Sequence, residues 1–169
     1  IEAVVKTLKS DWITQGPAIA EFEKAVANKT GVQYAVAVAT GTAALHCACF
    51  AIGVGKGDEI ITSPITFAAS GNCALFMGAS VRFVDIRSDT YCMDYQKLEE
   101  AITPRTKAII PVDFAGQPCD MDEINAIARK HNLTVIEDAA HSLGAVYKGK
   151  PVGTLAPMTI FSFHPVKHI

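Results

Sequence analysis

The stretch Val135-Ile136-Glu137-Asp138-Ala139-Ala140-His141 decides how this chain folds. Leu133 to Ile136 form a short apolar run, and such runs read as strands buried on both faces of a parallel sheet. The run delivers Asp138 and His141 at its carboxyl end. A second apolar run, Met158 to Phe163, continues into Ser162-Phe163-His164-Pro165-Val166-Lys167. The two pieces together bring a carboxylate, an imidazole, a hydroxyl and a lysine to strand ends, where open α/β sheets bind ligands. A lysine able to form an imine and an aspartate able to hold a pyridinium nitrogen are what pyridoxal phosphate chemistry asks of a protein.

Outward from these pieces the chain alternates between helix and strand. Residues 2–9 and 18–28 have the pattern of helices with charged faces. Strands are expected at 34–38, 58–62, 81–85, 107–112, 133–137 and 158–163, and helices at 43–52, 66–77, 94–101 and 121–131. This alternation implies an α/β fold, a mostly parallel sheet with helices on both faces. Residues 144–152 lack a helical period and contain Lys148-Gly149-Lys150-Pro151, which suits a short hairpin. No repeat, low-complexity tract or linker divides the chain.

Composition narrows the classes. The chain has 169 residues, is 50% hydrophobic and 19% charged, and can bury a real core. A net charge of -2 offers no basic field, so nucleic acid is not an expected partner. Five cysteines (Cys47, Cys49, Cys73, Cys92, Cys119) form no pairing framework, which suits a reducing cytoplasm. His46, Cys47 and Cys49 lie close together, but no second ligand pair follows at zinc-like spacing, so no metal is expected. Residues 34–55 carry no Asp, Glu, Lys or Arg and could span a bilayer by length. Thr40-Gly41-Thr42 cuts that stretch into a buried strand and a buried helix, so a membrane span is not expected.

With these motifs read, the chain resembles the DegT/DnrJ/EryC1/StrS sugar aminotransferases, which have the fold of aspartate aminotransferase. The resemblance runs through Thr14-Gln15-Gly16-Pro17, 39–45, 57–67, 102–111 and 114–121 to the two pieces above. Within the family it looks most like the transaminases of pseudaminic acid synthesis. It implies transfer of an amino group from glutamate to a UDP-4-keto-6-deoxy-N-acetyl sugar, with pyridoxal 5'-phosphate as cofactor and a homodimer as the working form. Two alternatives stay open: a transaminase acting on a UDP-4-keto-pentose, and a non-catalytic protein of the same fold. Sugar dehydratases of the group replace the imine lysine with histidine, and Lys167 argues against them.

The family's functional residues map onto this sequence by the same resemblance. Lys167 takes the place of the lysine that holds the cofactor. A buried lysine attacks as the neutral amine, which desolvation favours. Asp138 corresponds to the aspartate on the pyridine nitrogen, and His141 to the residue hydrogen-bonded to the cofactor's phenolic oxygen. Phe67 matches the aromatic stacked on the ring. Gly41 and Thr42, at a strand-to-helix turn, and Ser162 match the phosphate binders, because glycine permits close approach and a helix N-terminus attracts an anion. Asp11, Trp12, Ile13 and Thr14 align with a loop that touches the nucleotide sugar. Each position also has a plainer reading: an N-cap at Thr42, core packing for Phe67 and Trp12, a loop cap at Asp138. Family members continue for about as many residues again, so residues 1–169 are expected to be the N-terminal portion of the large domain, with no second domain in this chain.

Overall fold

The computed structural model describes residues 1–167. The chain divides into two units, Ile1–Ala37 and the residues from Val38 onward. The first unit holds helices α1 (Glu2–Leu8) and α2 (Pro17–Thr30). Proline opens α2 where its missing N–H costs nothing, and Gly31, at φ 79°, closes it in the left-handed conformation. After α2 the chain runs extended, and the Ala37 N–H donates to Glu23 Oε1 at 2.8 Å.

This extended segment corrects one expectation. Residues 34–38 pair with no strand among the described residues, and Val36 is 81% exposed. Alternating β-branched residues set an extended backbone, but a strand also needs a neighbour to take its N–H and C=O groups.

The second unit begins with α3 (Gly41–Ala51), β1 (Glu59–Thr62), α4 (Ala69–Phe76), β2 (Ser80–Phe83) and α5 (Tyr95–Ala101). It continues with β3 (Thr106–Ile110), α6 (Met121–Lys130), β4 (Thr134–Asp138), the short strands β5 (Val146–Tyr147) and β6 (Lys150–Pro151), and β7 (Met158–Ile160). Five strands form one parallel sheet in the order β2-β1-β3-β4-β7. β5 and β6 form the expected hairpin, with Lys148 and Gly149 both at positive φ, as a tight two-residue turn requires.

Side-chain alternation sorts the sheet into two cores. Ile60, Ala108, Ile110, Ile136 and Ile160 pack with α3 and α4 on one face. Ile61, Ile109 and Val135 pack with α5 and α6 on the other. The same alternation sends Glu137 and Asp138 to opposite faces. The mostly parallel sheet covered on both sides is therefore the fold that the alternation of elements implies.

Helix α3 is buried on one face only, not all round as its composition suggests. Leu45, Ala48 and Cys49 face the sheet, while Cys47 and Phe50 are exposed. An apolar helix on an α/β sheet covers just the stripe that touches the strands. Helix α4 starts at Ala69, later than the expected 66, which leaves Thr66 and Phe67 in the loop before it. Among the described residues no helix is long and apolar enough to cross a membrane.

At the amino end of the strands Glu59 is buried beneath two arginines. It accepts from Arg82 Nε at 3.0 Å and Thr103 Oγ1 at 3.1 Å, and pairs with Arg105 at 3.4 Å. Burial opposes its charge, but the Arg82 and Thr103 hydrogen bonds and both guanidinium charges hold its carboxyl below the ordinary range.

Candidate active site

At the carboxyl end of the strands, Asp138 closes β4 and is only 5% exposed. Its backbone is fixed twice: its N–H donates to Pro111 O at 2.9 Å, and its C=O accepts from Asp113 N at 3.1 Å. Ser70 Oγ, from the buried face of α4, donates to Asp138 Oδ2 at 2.6 Å. Thr66 Oγ1 lies 2.7 Å from Ser70 Oγ. Because the Ser70 proton goes to the carboxylate, Thr66 is the donor in that pair. The Ala140 N–H reaches Asp138 Oδ1 at 3.3 Å. Burial pushes the Asp138 carboxyl above its ordinary range, while the Ser70 and Ala140 bonds and the charges of His141 and Lys167 pull the other way.

His141 sits between two partners. Its Nδ1 accepts the Ala115 N–H at 3.3 Å, and its Nε2 lies 2.5 Å from Lys167 Nζ. With Nδ1 occupied as an acceptor, a proton on the ring sits at Nε2, the nitrogen that faces Lys167. The Phe114 ring meets the imidazole edge-on at 6.4 Å. Gly116 is needed below it: its φ is +89°, and a Cβ there would come within 3.1 Å of the His141 carbonyl oxygen.

Lys167 hangs from a turn in which its N–H donates to His164 O at 2.8 Å. His164 also donates its N–H to Ser162 Oγ at 3.4 Å, so the turn is built by its own residues. Ser162 faces the start of α3, where a Cβ on Gly41 would lie 3.5 Å from Ser162 Cβ and 3.7 Å from its Oγ. Helix α3 is capped by Thr40, whose Oγ1 accepts the Ala43 N–H at 3.1 Å, and not by Thr42. Gly41 and Thr42 thus head the helix, where backbone N–H groups lack intrahelical partners.

Phe67 is 73% exposed, so the structure does not make it a core residue. Asp11, Trp12, Ile13 and Thr14 belong to the first unit and are exposed there. Trp12 packs over Gly16, where a Cβ would meet the Trp12 Cβ at 2.5 Å. Thus Asp138, His141 and Lys167 form one cluster and Gly41 and Ser162 another contact in the same unit, whereas Asp11 to Thr14 are part of the other unit.

Four participants were not evident in the sequence: Ser70, Thr66, the Ala115 N–H and Asp113. Ser70 lies 68 residues from Asp138, and a serine inside an apolar helix carries no local sign of its partner. Gly116 within the Phe114-Ala115-Gly116-Gln117 segment was the one signal available.

The DegT/DnrJ/EryC1/StrS aminotransferase family model matches residues 1–169, and the chain belongs to that family. It is 47% identical over 169 residues to the spore coat polysaccharide biosynthesis protein SpsC of Bacillus subtilis, covering all of this chain and 43% of SpsC. It superposes on Spr1654 of Streptococcus pneumoniae, assigned as a sugar aminotransferase, with a TM-score of 0.94 and 40% identity, covering 97% of this chain and 45% of that one. Spr1654 has also been solved in PLP and PMP forms. Helicobacter pylori PseC, an aminotransferase of pseudaminic acid biosynthesis, matches with a TM-score of 0.92 and 36% identity over 98% of this chain and 45% of PseC. The chain therefore spans less than half the length of these relatives.

The site's chemistry fits pyridoxal phosphate. A carboxylate whose burial raises it favours a cationic N–H opposite, as a pyridinium supplies. A lysine nitrogen lies close by on His141, and the head of α3 beside Ser162 offers a phosphate its donors.

Proposed function

We propose that this protein transfers an amino group from glutamate to a UDP-4-keto-6-deoxy-N-acetyl sugar, using pyridoxal 5'-phosphate. The observation that carries the reading is the contact of Lys167 Nζ with His141 Nε2, three residues beyond the buried carboxylate of Asp138. Family membership and the likeness to SpsC, Spr1654 and PseC support a sugar as the acceptor. The likeness to PseC favours the pseudaminic acid type of acceptor.

When bound, the cofactor supplies an aldehyde that condenses with amines and a ring that withdraws electrons from the adjoining carbon. The residues would divide the work as follows. Asp138 holds a proton on the pyridine nitrogen and is itself aimed by Ser70. Lys167 holds the cofactor, and its Nζ is placed to take and return the proton at the substrate carbon. His141 orients that nitrogen and meets the phenolic oxygen. Gly41, Thr42 and Ser162 bind the phosphate, Phe67 covers the ring, and Asp11 to Thr14 contact the nucleotide sugar. We place this activity in the cytoplasm, in a homodimer.

The test is chemical labelling. Borohydride treatment of the cofactor-loaded protein should fix the cofactor mass on Lys167 in peptide maps. A label on Lys148 or Lys150, or none, would overturn the reading.

A further inference from the structure

Thr66 and Ser70 stand on either side of the start of α4, and both forgo the hydrogen bonds that such positions ordinarily make. A threonine just ahead of a helix commonly caps it, yet the N-cap of α4 is Ala68 and no side chain caps the first turn. Thr66 Oγ1 lies instead 2.7 Å from Ser70 Oγ, and it has no other hydrogen-bond partner among the described residues. A serine inside a helix commonly returns its hydroxyl to a carbonyl three or four residues back. Such a carbonyl is within reach, Phe67 O at 3.3 Å, but Asp138 Oδ2 is closer at 2.6 Å.

The Ser70 hydroxyl thus has one proton and two acceptors, and Thr66 bears on which of them receives it. As the donor of its pair, Thr66 gives a hydrogen bond to Ser70 Oγ. A hydroxyl that accepts a hydrogen bond is itself a stronger donor, because successive bonds polarise one another inside a protein. The stronger donor is drawn to the charged acceptor, Asp138, over the neutral carbonyl. Ser70 also gives its backbone N–H to Phe67 O at 3.1 Å. One serine therefore ties the loop of Thr66 and Phe67 to the carboxylate that closes β4.

We propose that Thr66 is a positioning residue: acting through Ser70, its hydroxyl holds the Asp138 carboxylate as an anion turned to the cofactor's ring nitrogen and joins that aim to the loop bearing Phe67. The proposal rests on the reading of Asp138 as the partner of that nitrogen. Burial drives the Asp138 carboxyl above its ordinary range, and the Ser70 bond is foremost among the interactions that oppose it. The other side chains that act on its charge are His141 and Lys167, Asp113 after β3 and the Cys73 thiol on α4. Thr66→Val keeps the shape of the side chain, removes the hydroxyl and leaves all of those groups in place.

Carbon NMR of the cofactor-free protein, labelled at aspartate carboxyls, reads the proton on Asp138 directly, its signal being the one absent from D138N. With the donor behind Ser70 gone, the carboxylate is less well stabilised, so in T66V it should bind its proton about threefold more tightly than in wild type. Thr66→Ser restores the hydroxyl without the methyl and should return the titration to that of wild type. Identical titrations of T66V and wild type, or a T66S that follows T66V, would overturn the proposal. The cofactor-loaded protein, with nitrogen-15 in the pyridine ring, tests the aim. In T66V the share of the proton held by the ring nitrogen rather than by Asp138 should fall by about threefold, moving the nitrogen signal toward that of an unprotonated pyridine, and T66S should not show this. An unmoved signal in T66V would also overturn the proposal. Should T66V fail to fold, T66A carries the same comparisons. A wild type that binds no cofactor would overturn the proposed function, while the cofactor-free titration would still decide what Thr66 does for Asp138.

Discussion

Ser70 Oγ donates a 2.6 Å hydrogen bond to Asp138 Oδ2 across the space between α4 and β4. The bond fixes the rotation of a carboxylate that burial alone would drive toward its neutral form, while Oδ1 accepts the Ala140 N–H at 3.3 Å. The aim of Asp138 is thus set by a helix distant in sequence, with Thr66 behind it.

Removing that donor should be felt at the cofactor. Ser70→Ala leaves the carboxylate without its closest partner, a loss of about 1.5–3 kcal/mol for a hydrogen bond to a charged group. The cofactor should bind roughly 10- to 100-fold more weakly, as read by fluorescence titration. Asp138→Asn should instead retain the cofactor and slow the single-turnover reaction with glutamate by about a thousandfold or more, each tenfold being about 1.4 kcal/mol of barrier. Normal turnover in that variant would mean that Asp138 faces something else.

Gly41→Ala separates space for a phosphate from space for the fold. The nearest atom to the new methyl is Ser162 Cβ at 3.5 Å, an ordinary contact, so the melting temperature should not change. The methyl would nonetheless fill part of the gap between the head of α3 and Ser162. The preference for pyridoxal phosphate over unphosphorylated pyridoxal, measured as a ratio of dissociation constants, should fall by about tenfold. An unchanged ratio would remove Gly41 from the phosphate site.

The buried Glu59 gives a stability signature in acid. Its carboxyl is held below the ordinary value of 4.5, so the folded state releases its proton more readily than the unfolded chain does. The contribution is therefore complete above that value and is lost as pH falls through the lowered one. Glu59→Gln leaves Arg82 and Arg105 without their shared anion, and should cost about 1–3 kcal/mol at pH 7. The gap between variant and wild type in urea unfolding should close as pH drops toward 3. A constant gap would mean that packing, rather than charge, is what Glu59 provides.

Much of this molecule follows from local pattern. The apolar run before Asp138 became β4 within a residue, and the run from Met158 became β7, which ends at Ile160 and not at the expected 163, because a parallel strand with helices on both sides must be apolar on both faces. Lys148-Gly149 announced the hairpin, since few residue pairs accept two positive φ angles. The extended run at 34–38 misled for the opposite reason. Its residues favour a strand, but pairing is a property of the neighbour, and none of the described strands adjoins it.

What the sequence determined by itself is the alternation of elements, the strand ends that carry Asp138, His141, Ser162 and Lys167, and the family to which they point. These are local matters, written in periodicity and in the residue types that chemistry demands. Which side chains hold those residues was decided only in three dimensions. Ser70 reaches Asp138 over 68 positions, Ala115 reaches His141 over 26, and Ser142 reaches Asp113 over 29. A hydroxyl or a backbone N–H carries no mark of its partner along the chain. The partnership exists because parallel strands bring their carboxyl ends, and the loops that leave them, to one edge of the sheet.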